Sequence, residues 1–225
     1  MFYQDGSVEF EVRLTGILQV YVSADGEPSP YGTLVAPNVN AHYHQHMFCL
    51  RVDPIIDGLE NTVVESDIYP LVAPTGSTLN PAGNAFISQE TVLDKETGRP
   101  YDFSKERRWK VVNSGRKHYS SGKPVGYSIG LKGAAAPSMV HPDSWCAKRA
   151  SFLENTLWVC RDVEGQNSGS ERLWPSGKYV PMTRSEPEDS IGRWVEGKQN
   201  IVDEDLLLYI NIGVTHIPRP EDWPV

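Results

Sequence analysis

Three histidines alternate with other residues in one short stretch of the chain. Residues 42–46 read His-Tyr-His-Gln-His, which places His42, His44 and His46 two positions apart. On a β-strand, side chains at i and i+2 point to the same face, about 6–7 Å apart. His44 and His46 can therefore direct both rings toward one metal ion, as can His42 and His44. Imidazole nitrogen is a good ligand for copper, zinc and iron, although an isolated His-x-His pair also occurs without any metal.

A further histidine ends an alternating apolar run near the other end of the chain. The run predicts a strand with one buried face, which is formed by Leu206, Leu208, Ile210, Ile212 and Val214. His216 is the next residue of that face, so we expect its ring in or beside the core, where a neutral imidazole needs a partner. A backbone carbonyl or a metal ion would supply one. With His44 and His46, His216 predicts a three-histidine metal site, but spacing does not distinguish copper from zinc.

The elements that must position these histidines are predicted to be mostly β-strands. Residues 8–14 alternate apolar and charged side chains, which is typical of a half-buried strand. Further strands are predicted over residues 17–23, 47–53, 62–68, 109–113, 126–131, 157–162 and 206–214. Seventeen prolines and nineteen glycines separate them, as in a β-sandwich or barrel.

The rest of the chain contains one short predicted helix and two long polar stretches. The helix covers residues 144–154. Residues 74–108 and 165–198 are predicted to be long excursions, which in a compact domain are functional or cover a partner. No internal repeat or linker interrupts the chain, so a single all-β domain is the simplest prediction.

Composition excludes some classes of protein. The net charge of −8 argues against nucleic acid as a partner, because phosphate binding requires a basic surface. No apolar run reaches the length of about 18 residues that a membrane-spanning helix needs. The cysteines, Cys49, Cys146 and Cys160, are few and odd in number and form no CxxC pair. This pattern favours a reducing compartment and an intracellular protein.

Two other catalytic patterns are weaker. Residues 126–130 match G-x-S-x-G, but a nucleophile elbow at Ser128 requires a strand, a sharp turn and a helix, and the surrounding sequence predicts only strands. A cupin-type metal site also uses His-x-His on a strand. It usually adds a glutamate a few residues later, and residues 49–52 read Cys-Leu-Arg-Val.

The residues around the histidines resemble the copper amine oxidase family. Residues 44–67 read HQHMFCLRVDPIIDGLENTVVESD and resemble the strand that carries two copper ligands, with the hairpin that follows it. Residues 213–225 read GVTHIPRPEDWPV and resemble the segment of the third ligand. Residues 155–158 and 174–181 also match, closest to fungal members, so the resemblance covers nearly the whole chain. It implies the large β-sandwich of the C-terminal catalytic domain, with residues 1–225 forming part of it.

The resemblance implies two metal sites. It assigns His44, His46 and His216 as copper ligands and makes His42 a neighbour. It also places Asp53 and Asp205 at two positions of a second site for a divalent cation such as calcium. The third acidic position is Ile55 here, so we expect that second site to be weakened or lost.

The family's reaction requires topaquinone, a quinone made from a tyrosine in an Asn-Tyr-Asp/Glu motif. It converts a primary amine and oxygen to aldehyde, ammonia and hydrogen peroxide, with an aspartate as general base. The 225 residues contain no such motif. By analogy the tyrosine and the aspartate would precede Met1, so the chain is expected to be truncated at both ends and inactive alone. Its expected location is the cytoplasm or the peroxisome.

Two rival functions stay open. The chain could be a non-catalytic β-sandwich that binds copper or dimerises, since family members form homodimers through this domain. It could also be a zinc hydrolase, in which three histidines leave one coordination position open to activate water.

Overall fold

The computed structural model describes residues 1–163, 172–180 and 184–223. Within these ranges the chain forms mostly strands, and none of its helices is long and apolar enough to cross a membrane. The strands are β1 (Val20–Val22), β2 (Gly32–Ala36), β3 (Val39–His42), β4 (His44–Val52), β5 (Thr62–Pro70), β6 (Phe86–Val92), β7 (Thr97–Arg99), β8 (Arg108–Lys117), β9 (Pro124–Ile129), β10 (Leu157–Arg161) and β11 (Leu206–His216). The α-helices are α1 (Trp145–Arg149) and α2 (Ile191–Trp194), and short 3-10 helices cover Phe103–Lys105, Ser151–Glu154, Val195–Gly197 and Pro220–Asp222.

The strands form three sheets whose assigned pairs are antiparallel. Their orders are β1-β3-β2, β4-β11-β10-β7 and β6-β5-β8-β9. The predicted all-β class is therefore confirmed. Backbone contacts divide the chain into two compact units, Met1–His46 with Thr215–Val225, and Met47–Val214. The expectation of a single domain over residues 1–225 stays a prediction.

The first unit contains the three-stranded sheet and a small core. Leu18, Val35 and Ala41 are buried there, and Trp223 packs against them. The 3-10 helix Pro220–Asp222, which immediately precedes Trp223, lies against β2. This packing holds the residues after β11 beside the three-stranded sheet, so the segment that follows His216 has a defined position within its unit.

The second unit has a core shared by the two four-stranded sheets. Val63 of β5 and Trp109 of β8 pack in one cluster with Leu157 of β10 and Leu206 of β11. The alternating side chains of each strand supply one face to this layer, as in a sandwich of two sheets. The central strand β11 is buried on both faces from Leu206 to Ile210, which explains its nearly continuous apolar sequence.

A charged group is buried in the same core. The Glu65 carboxylate accepts hydrogen bonds from the Trp109 indole N–H, at 3.0 Å, and from the Arg99 guanidinium, at 2.8 Å. Arg107 lies 3.4 Å from the same carboxylate and forms a bidentate pair with Asp67. The Arg107 hydrogen bond lowers the pKa of the Asp67 carboxyl below its usual value. Every charge in this group has a counter-charge, which is what burial of ions requires.

The predicted strand at residues 8–14 is wrong. Val8 makes an isolated bridge with Phe2, and residues 9–15 form no strand, helix or turn. A strand exists only when a neighbour completes its hydrogen-bond ladder, and the described residues supply none. Alternation therefore identified a segment with one apolar face, but not a partner for it.

The structure also differs from the sequence prediction at one helix and at one long excursion. The predicted helix over residues 144–154 is two short helices, because α1 ends at Arg149 and the 3-10 turn Ser151–Glu154 follows. The predicted excursion over residues 74–108 contains β6 and β7. Strand β6 was missed because all seven of its side chains are exposed, which removes the period-two signal. Part of the excursion over residues 165–198, and part of the match over residues 174–181, lie outside the described residues.

Candidate metal sites

The histidines selected from the sequence come together at adjacent strand ends. His44 and His46 lie on β4, and His216 is the last residue of the neighbouring strand β11. The Gln45 side-chain amide donates a hydrogen bond of 2.9 Å to the Thr215 hydroxyl, which joins the two strands here. The His44 ring lies edge-on to the other two, with centroids 4.9 Å from His46 and 4.9 Å from His216.

One ring nitrogen of His44 is assigned a role by its partner. Its Nδ1 lies 2.9 Å from the backbone carbonyl oxygen of His42. A carbonyl oxygen can only accept, so Nδ1 carries the proton and donates. In the neutral ring this leaves the lone pair on Nε2 of His44, which is the state a metal ligand needs.

His216 is oriented in the same way by a carboxylate. Its Nε2 lies 3.4 Å from Asp222 Oδ2, a long contact that favours the proton on Nε2 and the lone pair on Nδ1. Asp222 is held by the Arg219 backbone N–H at 2.9 Å and by the Arg219 guanidinium. These two hydrogen bonds lower the pKa of the Asp222 carboxyl below its usual value. The carboxylate is therefore ionised and positioned to face the His216 ring.

His216 and His42 have different surroundings. The His216 ring was expected in or beside the core; Val214 is exposed and the His216 side chain retains 35% of its accessible area, so the ring lies beside the core and not in it. The strand leaves the core after Ile212, so its last residues lie at the surface. His42 stacks on Tyr21 with ring centroids 4.7 Å apart, and it contributes its carbonyl oxygen rather than its ring to His44.

The histidines fit copper or zinc as a donor set, with one adjustment. Ligand nitrogens bound to one such ion at about 2 Å lie about 3 Å apart. In the described residues, nitrogen atoms taken one from each of the three rings do not all lie within 4.8 Å of one another. Rotation of the rings about their side-chain torsions is therefore needed to bind one ion.

A second group of possible ligands lies in the other unit. Asp53, Asp162 and Asp205 each offer a carboxylate oxygen, and these atoms all lie within 4.8 Å of one another. Calcium binds oxygen at about 2.3–2.6 Å, so two oxygens on one ion lie at most about 5 Å apart. The three carboxylates thus satisfy this spacing, and Ile55, at the position where an acid was expected, is not needed for it.

The sheet explains why these aspartates meet. Asp53 follows the end of β4, Asp205 precedes the start of β11 and Asp162 follows the end of β10. These three strands are neighbours in one sheet, and Arg161 pairs with Leu206. The Asp162 N–H also donates to the Asp205 carbonyl oxygen at 2.8 Å. Sequence analysis selected Asp53 and Asp205 but missed Asp162, whose only signal is its position immediately after a buried strand.

Ser128 does not form a nucleophile elbow. It lies within β9, in an exposed position, and the strand continues to Ile129. No turn into a helix follows, so the arrangement that exposes a catalytic serine is not formed there.

Comparisons with known proteins agree on one family. The profile of the copper amine oxidase enzyme domain matches residues 1–225. The chain is 37% identical to the peroxisomal primary amine oxidase of Pichia angusta, over 100% of the chain and 32% of that protein. It is 36% identical to copper amine oxidase 1 of Schizosaccharomyces pombe, over 100% of the chain and 31% of that protein.

A solved structure shows the same fold. The copper-containing benzylamine oxidase from Hansenula polymorpha superimposes with a TM-score of 0.81 and 31% sequence identity, over 93% of this chain and 31% of that chain. The chain therefore spans about a third of the length of the relatives that it matches.

Proposed function

Because the chain belongs to the copper amine oxidase family, we propose that it forms the copper-binding part of a primary-amine oxidase. The reaction would convert a primary amine and oxygen to aldehyde, ammonia and hydrogen peroxide. The observation that carries the proposal is the meeting of His44, His46 and His216 at the ends of β4 and β11. Relatives named as amine oxidases of yeasts support it.

The chain's own residues would hold and orient the metal. His44 would bind through Nε2 and His216 through Nδ1, because the other nitrogen of each ring has a hydrogen-bond partner. His46 would be the third ligand. Copper, when bound, supplies one-electron redox chemistry toward oxygen. The His42 carbonyl and the Asp222 carboxylate would keep the two rings in the tautomers that bind a cation.

None of the tyrosines in this chain lies in the motif from which the family's quinone is made. Its precursor motif, Asn-Tyr-Asp/Glu, does not occur in the 225 residues, and we derive no step that passes through it. We therefore propose that this chain binds copper but does not oxidise amines without further polypeptide.

Copper titration tests the first part of this proposal. We expect about one Cu(II) per chain, with nitrogen hyperfine coupling from imidazole in the electron paramagnetic resonance spectrum. His216→Ala should remove one of the three nitrogen ligands and weaken copper binding. His118→Ala, at an exposed histidine of the β8–β9 turn, should change neither the nitrogen coupling nor the copper affinity. A spectrum without imidazole coupling would contradict the assignment of the histidines as copper ligands. Hydrolytic activity that zinc restores and copper does not would favour a zinc hydrolase.

An amine oxidation assay tests the second part. Copper-loaded chain incubated with benzylamine or methylamine in air should produce no hydrogen peroxide above a no-amine control. Amine-dependent peroxide from the purified chain would refute the claim that it is inactive alone.

We propose a second candidate function, in which the chain is a non-catalytic copper-binding or dimerisation module and two copies associate. Exposed apolar side chains near the N-terminus support association. An intact dimer that binds neither copper nor zinc would favour the module over the oxidase part.

The aspartate group supports a proposed second cation site. Asp53, Asp162 and Asp205 would bind a hard cation such as calcium, because carboxylate oxygens are its preferred ligands. For location, a peroxisomal relative supports the peroxisome or the cytoplasm. Imaging of the tagged full-length gene product would test this.

A further inference from the structure

A fourth histidine lies beside the proposed copper site. His42 is two residues before His44, and its carbonyl oxygen lies 2.9 Å from His44 Nδ1. On the spacing alone, the His42 ring could pair with His44 on one metal ion as readily as the His46 ring could. Spacing therefore does not explain why His42 would be left out of the ligand set.

The His42 ring has a different partner. It stacks on the Tyr21 ring, with centroids 4.7 Å apart and an angle of 18° between the ring planes. The His44 ring instead lies edge-on to the rings of His46 and His216. Parallel stacking of two rings is a favourable contact. The His42 ring would lose that contact by turning toward an ion bound to the other histidines.

The register of the three-stranded sheet explains this stack. Tyr21 of β1 pairs with Asn40 of β3, and His42 lies two residues after Asn40, on the same face of the sheet. Diagonal neighbours of this kind are close enough for aromatic side chains to touch. The His42 N–H also donates to the Gln19 carbonyl oxygen at 3.1 Å, which keeps His42 in register with β1. Backbone pairing thus places Tyr21 against His42 without any contribution from a metal ion.

The number of histidine ligands matters for a catalytic metal. Such a site keeps a coordination position free of protein side chains, where water or substrate binds. Three histidines leave that position open, and a fourth imidazole would compete for it. His42 belongs to the same compact unit as the three proposed ligands, so its ring is a competitor close at hand.

We propose that Tyr21 is a positioning residue that holds the His42 ring away from the copper site and so limits the ligand set to three histidines. The inference rests on the copper binding proposed above. It adds the residue that determines which of the neighbouring histidines take part. Tyr21 does not touch the ion, because it acts through the His42 ring.

The variant Tyr21→Val tests this role. Valine suits a β-strand as well as tyrosine does, but it has no ring on which His42 can stack. In electron paramagnetic resonance, Cu(II) on the unaltered chain should couple to three imidazole nitrogens, and Cu(II) on Tyr21→Val should couple to four. Water-proton relaxation should show a rapidly exchanging water on the first complex and its loss from the second.

Three further variants separate this role from a merely structural one. Tyr21→Val combined with His42→Ala should return to three nitrogens and regain the exchanging water. Tyr21→Phe keeps the ring and should behave like the unaltered chain. Tyr31→Ala removes a tyrosine that is 78% exposed in the same unit, and it should also leave three nitrogens.

Nuclear magnetic resonance of the metal-free chain tests the stack itself. The ring current of Tyr21 should shift the His42 ring protons upfield in the unaltered chain and in Tyr21→Phe. The same protons, assigned by their loss in His42→Ala, should move back toward the values of an exposed histidine in Tyr21→Val. Ordinary exposed-histidine shifts in the unaltered chain would overturn the inference, whichever variants fold.

The copper spectra distinguish failure of the inference from failure of the copper site. Three nitrogens in Tyr21→Val, when circular dichroism shows that it is folded, overturn the role of Tyr21 and leave the copper site intact. Four nitrogens that persist in the double variant overturn it as well, because the fourth ligand is then not His42. An unaltered chain without imidazole coupling overturns both proposals.

Discussion

At the scale of single residues, the contact between His216 Nε2 and Asp222 Oδ2, at 3.4 Å, would give the carboxylate an indirect role in the proposed copper site. Asp222 would not bind the ion itself. It would fix the tautomer of His216 by facing the ring nitrogen that the ion would not use. Partners of this kind affect metal affinity by about 10–100-fold.

We predict that Asp222→Ala weakens copper binding about 10–100-fold without abolishing it. The reason is that His216 would then bind with its ring and proton free to rearrange. Competition with a chromophoric chelator would measure the dissociation constant. Glu221→Ala, one residue away, is the control and should bind like the unaltered chain. Equal affinity of the Asp222 and Glu221 variants would contradict the role.

At the scale of the elements, the β8–β9 hairpin depends on a close approach of two backbones. Gly126 of β9 is paired with Val112 of β8. A Cβ atom at position 126 would lie 2.2 Å from the Val111 carbonyl oxygen and 2.9 Å from the Val112 Cα. Both are backbone atoms, which cannot move aside as a flexible side chain can.

We predict that Gly126→Ala destabilises the protein by about 1–3 kcal/mol. The methyl group would force the two strands apart and weaken their hydrogen bonds. Urea denaturation followed by tryptophan fluorescence would measure the free energy of unfolding. Gly130→Ala is the matched control, since a Cβ atom there meets nothing within 4 Å. If Gly126→Ala is as stable as Gly130→Ala, the prediction is wrong, because the two strands then accommodate the methyl group without cost.

The sequence predicts features that depend on one segment of the chain, but not features that depend on how separate segments pair. The pairing of His44 with His46 depends only on the parity of one strand, and the central strands of the core carry their own apolar patterns. The meeting of Asp162 with Asp205 depends on the register between β10 and β11, which no single segment encodes. Strand β6 gave no signal because it is exposed throughout. Residues 8–14 were wrongly predicted to be a strand, because alternation indicates an apolar face but does not show that a neighbouring strand is available to pair with it.

At the scale of the whole molecule, the proposed cation site connects the ends of three strands. Asp53, Asp162 and Asp205 come from three separate segments of the sequence, and a bound cation would offset the repulsion between their neighbouring carboxylates. A ligand that binds only the folded state stabilises it in proportion to the logarithm of its concentration.

We predict that calcium raises the melting temperature of the purified chain by about 5 °C or more when present at about 100 times its dissociation constant. Differential scanning fluorimetry with calcium and with EDTA would measure the shift. Asp162→Asn should reduce it, whereas Asp25→Asn, in the other unit, should not. An unchanged melting temperature with both calcium and magnesium would argue that the carboxylates bind no cation.

The hydrogen bond between Gln45 and Thr215 joins residues 170 positions apart, and this separation has a kinetic consequence. Strand β11 lies between β4 and β10, so the sheet cannot form until the chain has closed a very long loop. Topologies dominated by such distant pairings fold slowly. The histidines of β4 therefore come close to His216 only after β4 and β11 have paired. A metal ion that needs all of them would bind late in folding, after the strands have paired, and would stabilise the folded chain without guiding its early steps.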